Sequence, residues 1–545
     1  MRINKILIYF LATTLLTASF SCKKLDLAPT DRFTELNFWL ASENVSNALN
    51  NIYGGMYNST YVFYNEAMSD NAFTKLGINT GADAIASGNF TPSLPRFQSE
   101  WAYYYGGIKS CNIFLENVDK NETLAAAVKE RMKGEVRFIR AWHHFKLMNW
   151  WGDVPLLDKN ITPDEAKTIA RSPRAEVLAF VLTELDAAAA ALPAKEQYAA
   201  NDNGRITKGA ALAIRSRVLL YEGNRMADVV AVCEDLMNNR PTNGNYSLVA
   251  NYSDLFSDRT VNKTNPESML SIQYVPNLKT WGDYIDFAPI SAGARTNNLS
   301  PSQELVDAYI MKNGKEIQEA GSGYNENDPA VNRDPRLAAT IVYDKFNWVN
   351  PDNSTQVIYI KPGSTPSGAS AANEYSNAGQ GTATGYYWRK YWDPNAAAGI
   401  ASGTNIHLVR WAEVLLNYAE AKQSLNQMTA EVWDKTIRVI RSRAGFTEAG
   451  ALDFPGTANM TEIIRNERRV EFAMEGLRID DIRRWKIAET VLSGWVHGAK
   501  YGDNSVDNGY LRVQLRQFDA AKHYLWPVPP SERALNSNLS QNTGY

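Results

Sequence analysis

The sequence predicts a mainly α-helical protein in which helical hairpins stack into a scaffold that carries a loop-rich insertion with minor β structure. Long helical patterns occupy residues 37–245 and 406–545, with apolar residues recurring at helical spacing. Between them, in residues 246–405, Pro, Gly, Asn and Ser become frequent and the periodic runs shorten. A span of that length without long helices is typical of a functional insertion on a scaffold. Hydrophobic residues make up 44% of the 545-residue chain, which is enough for a large core.

The clearest hairpin runs from Leu408 to Gly445. Its first helix carries two apolar rows that leave one narrow polar stripe, so we expect other elements to cover it on two sides. The stripe consists of Arg410, Glu413, Asn417 and Glu420. Thr429 is predicted to cap the start of the second helix, and Gly445 to close it in the left-handed conformation. Hairpins of this kind stack into tetratricopeptide-like solenoids.

Further elements are predicted from periodicity and from Gly or Pro stops. The predicted helices are Ala48–Tyr57, Ser99–Val118, Leu124–Trp151, Arg174–Leu192, Thr207–Tyr221, Met226–Asn238 and Met460–Lys486. The insertion has strand candidates at Ser268–Val275, Leu337–Val342 and Val357–Ile360, and the aromatic run Gly385–Trp392 is predicted as a strand. Dense Arg and Glu between Arg465 and Arg484 favour an ion-pair network over a phosphate site. We expect residues 37–545 to form a single domain.

The N-terminus has the pattern of an export signal. Arg2 and Lys5 precede the apolar run Ile6–Leu16, which is too short to span a membrane and typical of a signal peptide. Small residues then lead to Cys22, as in a bacterial lipoprotein signal. We therefore predict removal of residues 1–21, acylation of Cys22 and a polar tether over residues 22–36. The alternative is ordinary secretion with an unmodified cysteine.

Charge and cysteine content exclude several classes of function. A formal net charge of −3 and a pI near 6.1 argue against nucleic acid as the main partner. We expect Cys111 and Cys233 to be buried free thiols rather than a disulfide. The sequence lacks the common nucleophile, metalloprotease and phosphate-loop motifs, so no cofactor and no metal are predicted. The adjacent His143 and His144 point about 100° apart on a helix, which favours packing over metal binding.

Seven motifs together resemble the SusD/RagB family of outer-membrane nutrient-binding lipoproteins. They are Cys22 with LDLAPTD, Phe38–Trp39 and ALNNIYGGMY, then RFIRAWHHFKLMNWWGDVPL (137–156), GRITKGAALAIRSRVLLYEG (204–223), Ser300–Asp307 with NRDPRL (332–337), RWAEVLLNYAEAK (410–422), ERRVEFAMEGLRIDDIRRW (467–485) and LWPVPP with the closing QNTGY. The resemblance implies a tetratricopeptide-like scaffold with a variable loop face. It implies a non-catalytic role in capturing nutrient, usually oligosaccharide, at the cell surface. It also implies a partner, a SusC-like TonB-dependent transporter, with the lipoprotein held to the outer membrane by its lipid.

A glycan site needs flat aromatic faces for sugar C–H groups and fixed polar groups for hydroxyls. In the family, ligand contacts usually come from two regions. The residues predicted to bind ligand there are Asp70, Asn71, Phe73, Arg96 and Trp101 in the first region, and Trp281, Tyr284 and Arg295 in the second. Trp348 is a further candidate platform. The alternative for each residue is ordinary packing.

Three alternatives to oligosaccharide binding stay open. The same architecture could bind peptide or another nutrient. A surface glycoside hydrolase needs only two suitably spaced carboxylates, which 59 acidic residues can supply. A structural interaction protein would need no small ligand.

Overall fold

The computed structural model describes residues 37–75, 80–376, 379–393, 396 and 401–545. The predicted signal peptide, Cys22 and the tether lie outside these residues. Within them the fold is mainly α, as predicted, and the strands form only two-stranded sheets. No helix in the described part of the chain is long and apolar enough to cross a membrane.

The helices of at least eight residues are labelled here in chain order. They are α1 (Ser42–Gly54), α2 (Ser59–Ala67), α3 (Pro95–Asn117), α4 (Ala126–Trp151), α5 (Arg174–Ala191), α6 (Lys208–Glu222), α7 (Met226–Asn238), α8 (Trp411–Ser424), α9 (Ile437–Ala444) and α10 (Met460–Glu471). Shorter α-helices span Ala82–Ser87, Pro163–Ala166, Arg240–Asn243, Asp254–Ser257, Arg259–Lys263, Gln303–Ala308, Arg336–Thr340, Ala430–Lys435, Ala449–Leu452, Arg478–Arg484, Ala488–Val491 and Pro530–Leu535.

The long helices form a continuous stack. From α3 to α7 each helix packs on the next along the chain. Helix α4 approaches α5 closely at Gly134, where an added Cβ would lie 2.9 Å from the Ala191 methyl group. Helix α7 then packs against α8, and α8 against α10. The loop-rich segment therefore leaves the stack and returns to it between two neighbouring helices, so its insertion leaves the scaffold continuous.

The strands are short and pair antiparallel. They are β1 (Ala72–Thr74), β2 (Ser268–Ile272), β3 (Leu299–Pro301), β4 (Ile341–Val342), β5 (Phe346–Val349), β6 (Thr355–Ile358), β7 (Tyr387–Trp388), β8 (Ile406–Arg410), β9 (Gly494–His497) and β10 (Arg512–Arg516). The pairs are β1 with β3, β2 with β8, β4 with β7, β5 with β6 and β9 with β10. Two of these pairs, β1–β3 and β2–β8, join the insertion to the scaffold at its edges.

The predicted hairpin exists, with two corrections. Residues Leu408–Arg410 belong to strand β8 rather than to the helix, because they pair with β2. The second helix is interrupted at Thr436, whose φ of −125° and ψ of −86° are not helical. Thr429 caps the segment before the break by accepting a bond from the Val432 amide, and Gly445 closes α9 at φ 104°, both as predicted.

The predicted helix Met460–Lys486 is wrong as one element, because it breaks after Glu471. Met474 and Gly476 have φ values of 63° and 71° there. A Cβ on Gly476 would lie 2.5 Å from the Val62 carbonyl oxygen, and the Gly476 amide donates to Glu66 at 3.1 Å. The break therefore lets α2 dock against this segment. In the insertion, the predicted strand Leu337–Val342 is likewise half helix, since Arg336–Thr340 precedes β4.

The predicted polar stripe on α8 is not wetted. It belongs to a belt of buried charge that links the scaffold to the insertion. We call one part of this belt the buried ion cluster. It comprises five cations, Arg336, Lys390, Arg410, Arg441 and Arg443, and five carboxylates, Glu267, Asp334, Glu467, Glu471 and Glu475. Arg410 alone bonds Glu267 at 2.5 Å, Glu471 at 3.0 Å and Glu475 at 2.7 Å. The predicted ion-pair network is therefore present, and it reaches well beyond residues 465–484.

The cysteine and histidine predictions agree with the structure. Cys111 and Cys233 are free and buried. His143 and His144 are buried in α4, where His144 Nδ1 lies 2.9 Å from the Arg140 carbonyl oxygen. His143 packs against the rings of Tyr103 and Tyr104. Burial lowers the pKa of both imidazoles, so both stay neutral.

Candidate functional site

Helix α2 brings the two predicted ligand-binding regions together. Its sequence is STYVFYNEA, and Asn58 caps it by accepting a bond from the Thr60 amide. Phe63 packs against Trp281 of the second region at 5.0 Å between ring centroids. Asn65 accepts a bond from Arg96 of the first region at 2.5 Å. The chain passes from the end of this helix directly to Asp70 and to strand β1.

The side chains of Asp70 and Asn71 are buried and bond to other parts of the protein. Asp70 is only 5% exposed and accepts two bonds from Arg478, at 2.8 and 2.9 Å, with Arg469 at 3.1 Å. Burial alone would raise the pKa of its carboxyl, but Arg469 and Arg478 hold that pKa well below its usual range. Asn71 bonds Glu66 and Arg469, both at 2.7 Å. These polar groups are occupied by protein partners.

Phe73, Arg96 and Trp101 take different positions. Phe73 is half-buried in β1, opposite Ser300 of β3. Arg96 is buried and bonds Glu100 at 2.7 Å and the Thr80 carbonyl oxygen at 2.9 Å. Trp101 is 3% exposed and lies on the wall of a separate cavity of about 380 Å³, beside Tyr105. Ligand contact by Trp101 stays a prediction, and its position in this separate cavity does not favour contact with a ligand bound next to α2.

The three predicted residues of the second region also take different positions. Trp281 is 4% exposed, and its indole N–H donates to the Thr404 carbonyl oxygen at 2.8 Å, so the ring is part of the core. Arg295 is exposed and forms an ion pair with Asp286 at 3.4 Å. Tyr284 belongs to the 3-10 helix Asp283–Asp286, and its side chain lies outside what the structure describes.

Two half-exposed tyrosines lie above this buried layer. Tyr61 of α2 and Tyr103 of α3 pack edge to face at 6.5 Å between ring centroids. The Arg96 guanidinium supports the Tyr61 ring from below, 4.7 Å from its centroid. Tyr274, a third phenol close to Tyr103, is only 8% exposed. The half-exposed rings of Tyr61 and Tyr103 are suited to stacking on a ligand.

Two half-buried carboxylates of the insertion contact α2. Asp283 accepts bonds from the Ser59 and Thr60 hydroxyls at 3.2 and 3.0 Å, which ties the insertion to the first turn of α2. Asp286 pairs with Arg295 and lies close to the Tyr64 hydroxyl. We call the surface formed by Tyr61, Tyr103, Tyr274, Asp283 and Asp286 the tyrosine face.

Burial controls the ionisation of these groups. It raises the pKa of the Tyr61 and Tyr103 hydroxyls, so both stay protonated and can donate hydrogen bonds. It also raises the pKa of Asp283 and Asp286, against the hydroxyl and guanidinium bonds that lower it. The tyrosine face thus offers neutral phenol donors and carboxylate acceptors, and the exposed Arg295 guanidinium lies next to Asp286, a set that matches the hydroxyls of a polyol.

Comparison with known proteins now decides the family. The sequence model of the SusD family matches residues 234–545, more than half of the chain. The chain belongs to the SusD family. A second model, described as starch-binding and associating with the outer membrane, matches residues 25–220.

Individual SusD relatives are similar over most of their length. A SusD-like protein of Formosa agariphila is 25% identical over 514 residues, which are 89% of this chain and 90% of the relative. The starch-binding protein SusD of Bacteroides thetaiotaomicron is 25% identical over 518 residues, 90% of this chain and 86% of the relative. The crystal structure of a SusD-like carbohydrate-binding protein of Bacteroides fragilis superposes with a TM-score of 0.82 at 29% identity, covering 92% of this chain and all of that one.

The two regions predicted from the sequence of this SusD-family chain meet at α2, and ligand binding by them stays a prediction. The predicted residues did not include the half-exposed Tyr61 and Tyr103, whereas two predicted tryptophans, Trp101 and Trp281, are buried. The signal for α2 was present in the residues Tyr61, Phe63 and Tyr64, which place aromatic rings around most of one short helix. A helix with that composition must have rings both inside and outside the core.

Proposed function

We propose that this chain is a lipid-anchored protein of the outer cell surface that binds an oligosaccharide on the tyrosine face and delivers it to a SusC-like TonB-dependent transporter. The observation that carries the proposal is the pair of half-exposed rings, Tyr61 and Tyr103, with two carboxylates, Asp283 and Asp286, in contact with the helix that carries Tyr61. Support comes from the relatives, one of which is a starch-binding protein and another a carbohydrate-binding protein.

Binding on this surface would be shallow. Each ring covers one face of a sugar and contributes about 1 kcal/mol, while the carboxylates and phenols fix the hydroxyls. Two rings therefore give modest affinity, which suits a protein that must release its ligand to a transporter. The acyl chain on Cys22 would hold the protein at the membrane, and the scaffold would keep the tyrosine face rigid.

The role is non-catalytic in this proposal. Asp283 accepts bonds from two hydroxyl groups, and Asp286 is paired with Arg295, so both carboxylates already serve to position α2 and the insertion. A surface glycoside hydrolase is the competing interpretation, and incubation with oligosaccharides followed by product analysis separates the two. Accumulation of shorter products would contradict the binding-only role.

The test is glycan-array screening followed by calorimetry on the best oligosaccharide. Tyr61→Ala and Tyr103→Ala should each weaken binding about fivefold, the equivalent of about 1 kcal/mol, and the double variant at least tenfold. The matched control is Tyr359→Ala, a half-buried tyrosine remote in sequence from this surface, which should bind as wild type. Equal affinities for the double variant and wild type would contradict the site. Binding of peptides but of no glycan would contradict the ligand class.

A further inference from the structure

A second cleft lies outside the tyrosine face, between the short helix Arg259–Lys263 and the hairpin β5–β6. It has a volume of about 450 Å³, within the range of small-molecule sites. Two tryptophans, Trp348 and Trp392, lie on its wall and pack edge to face at 5.4 Å. Two arginines, Arg259 and Arg389, also line it. Aromatic faces and guanidinium groups thus meet in one cavity.

Arg389 is the group that points to the ligand. It is half-buried, and its guanidinium donates one bond, to the Ala338 carbonyl oxygen at 3.0 Å. Among the described residues it forms no ion pair with a carboxylate. Burial lowers its pKa, and the group that opposes this shift is the Tyr343 phenol rather than a carboxylate. An anion bound here would supply a counter-ion.

The other polar groups of the cleft agree with an anionic ligand. The Trp348 indole N–H is buried and donates to no acceptor in the described part of the chain. Arg259 is paired with Asp393 at 2.8 Å. Asp258, the carboxylate on the wall, accepts bonds from the Thr260 and Val261 amides at 2.8 and 3.1 Å, so its charge is already partly compensated. An anionic ligand would supply the acceptor that Arg389 and the Trp348 indole N–H lack among the side chains of the described residues.

We propose that this cleft binds a sugar ring that carries an anionic group, a carboxylate or a sulfate, with the anion on Arg389 and the ring against Trp392, which is half-buried, because Trp348 is only 2% exposed. The inference rests on the proposed function only for the class of ligand, a sugar. Guanidinium groups bind carboxylates and sulfates through paired, charge-assisted hydrogen bonds, and indole rings cover the C–H face of the sugar. The cleft would then bind glycans that contain acidic units in preference to neutral glycans.

The probes are methyl glucuronide for the carboxylate, glucose 6-sulfate for the sulfate and methyl glucoside as the neutral control, titrated by NMR at low ionic strength. We expect one or both anions to bind at least tenfold more tightly than methyl glucoside, and the binding to weaken as salt is added. The two anions distinguish a uronate from a sulfated unit. Equal affinities for all three sugars would overturn the proposal.

The variants place charge at the rim without disturbing the core. Val349 lines the cleft and is 53% exposed. Val349→Glu should weaken binding of the anion at least tenfold, whereas Val349→Lys, which places the opposite charge at the same position, should keep or strengthen it. Arg389→Met, checked for a wild-type thermal transition, should abolish the preference for the anion, and Arg389→Lys should restore part of it.

The two proposals fail in different ways. If Val349→Glu and Val349→Lys bind the anions equally, the anion site is wrong, whatever happens at the tyrosine face. If Tyr61→Ala and Tyr103→Ala leave oligosaccharide binding unchanged, the tyrosine face is wrong, while the charge-dependent result at Val349 still supports this cleft.

Discussion

Replacing Asp70 with Asn tests whether this residue is structural rather than a ligand contact. The carboxylate is buried and holds Arg478 with two bonds and Arg469 with a third contact. The Asn side chain has nearly the same shape but carries no charge. It leaves two buried guanidinium groups facing an amide, at the point where the chain leaves α2.

The expected cost follows from the burial of this ion pair. Removing one partner of a buried salt bridge typically costs about 3–5 kcal/mol, because the remaining charge stays out of water. The cost also depends on pH. Because Arg469 and Arg478 lower the pKa of Asp70, its stabilisation is present above the unfolded value of 3.8 and is lost as pH falls toward the native value. The difference between wild type and Asp70→Asn should therefore be full at pH 7 and smaller at pH 3.

The assay is equilibrium unfolding in urea, followed by circular dichroism, on the mature chain. The matched control is Asp507→Asn, which removes another aspartate paired with an arginine, the exposed Arg512, at a half-exposed site. That change should cost less than about 1 kcal/mol. Oligosaccharide affinity of folded Asp70→Asn should be within a few-fold of wild type. The reasoning would be refuted by a variant as stable as Asp507→Asn that has lost ligand binding, since Asp70 would then act as a ligand contact.

Three further predictions concern the scaffold. Gly476→Ala should destabilise the protein by about 3 kcal/mol or more, because its Cβ would lie 2.5 Å from the Val62 carbonyl oxygen; Gly456→Ala, also at positive φ but with open space around it, should cost only about 1–2 kcal/mol in the same unfolding assay. The buried ion cluster should make the fold sensitive to acid, because burial raises the pKa of Glu471 but Arg443, Arg410 and Arg336 lower it to about 2. The free energy of unfolding should therefore fall between about pH 4.5 and 2 in wild type, and less steeply in Glu471→Gln. Parallel curves for the two proteins would contradict this assignment. Burial raises the pKa of the Cys233 thiol to about 12 and that of Cys111 further, so neither should react with a thiol reagent at pH 8 until the chain unfolds in urea; fast labelling of the folded protein would be the contrary result.

The stack of helices was predictable because its signal is local. Periodicity, a capping threonine at Thr429 and a closing glycine at Gly445 define where hairpin helices begin and end. The break at Gly476 was not predictable in this way. Its cause is the docking of α2, a contact between residues more than 400 positions apart. The charge pattern on both sides of Gly476 is typical of one continuous helix, because the contact that causes the break is not visible in the local sequence.

The candidate ligand surface could be proposed from the sequence only as a region. Aromatic and polar residues in loops indicate a binding site, but burial decides which of them face outward, and burial depends on tertiary packing. Trp281 is buried and its N–H donates to the Thr404 carbonyl oxygen, and Asp70 is buried against Arg469 and Arg478, which come from two helices distant in sequence. Tyr61 and Tyr103 are open because the helices that carry them meet at the edge of the core.

The most direct test of the account is a crystal structure of the mature protein with a bound oligosaccharide. The account predicts a sugar ring in van der Waals contact with Tyr61 or Tyr103, with a ligand hydroxyl bonded to Asp283, Asp286 or Arg295. An oligosaccharide bound elsewhere, for example in the 380 Å³ cavity beside Trp101, with the tyrosine face uncovered, would contradict it.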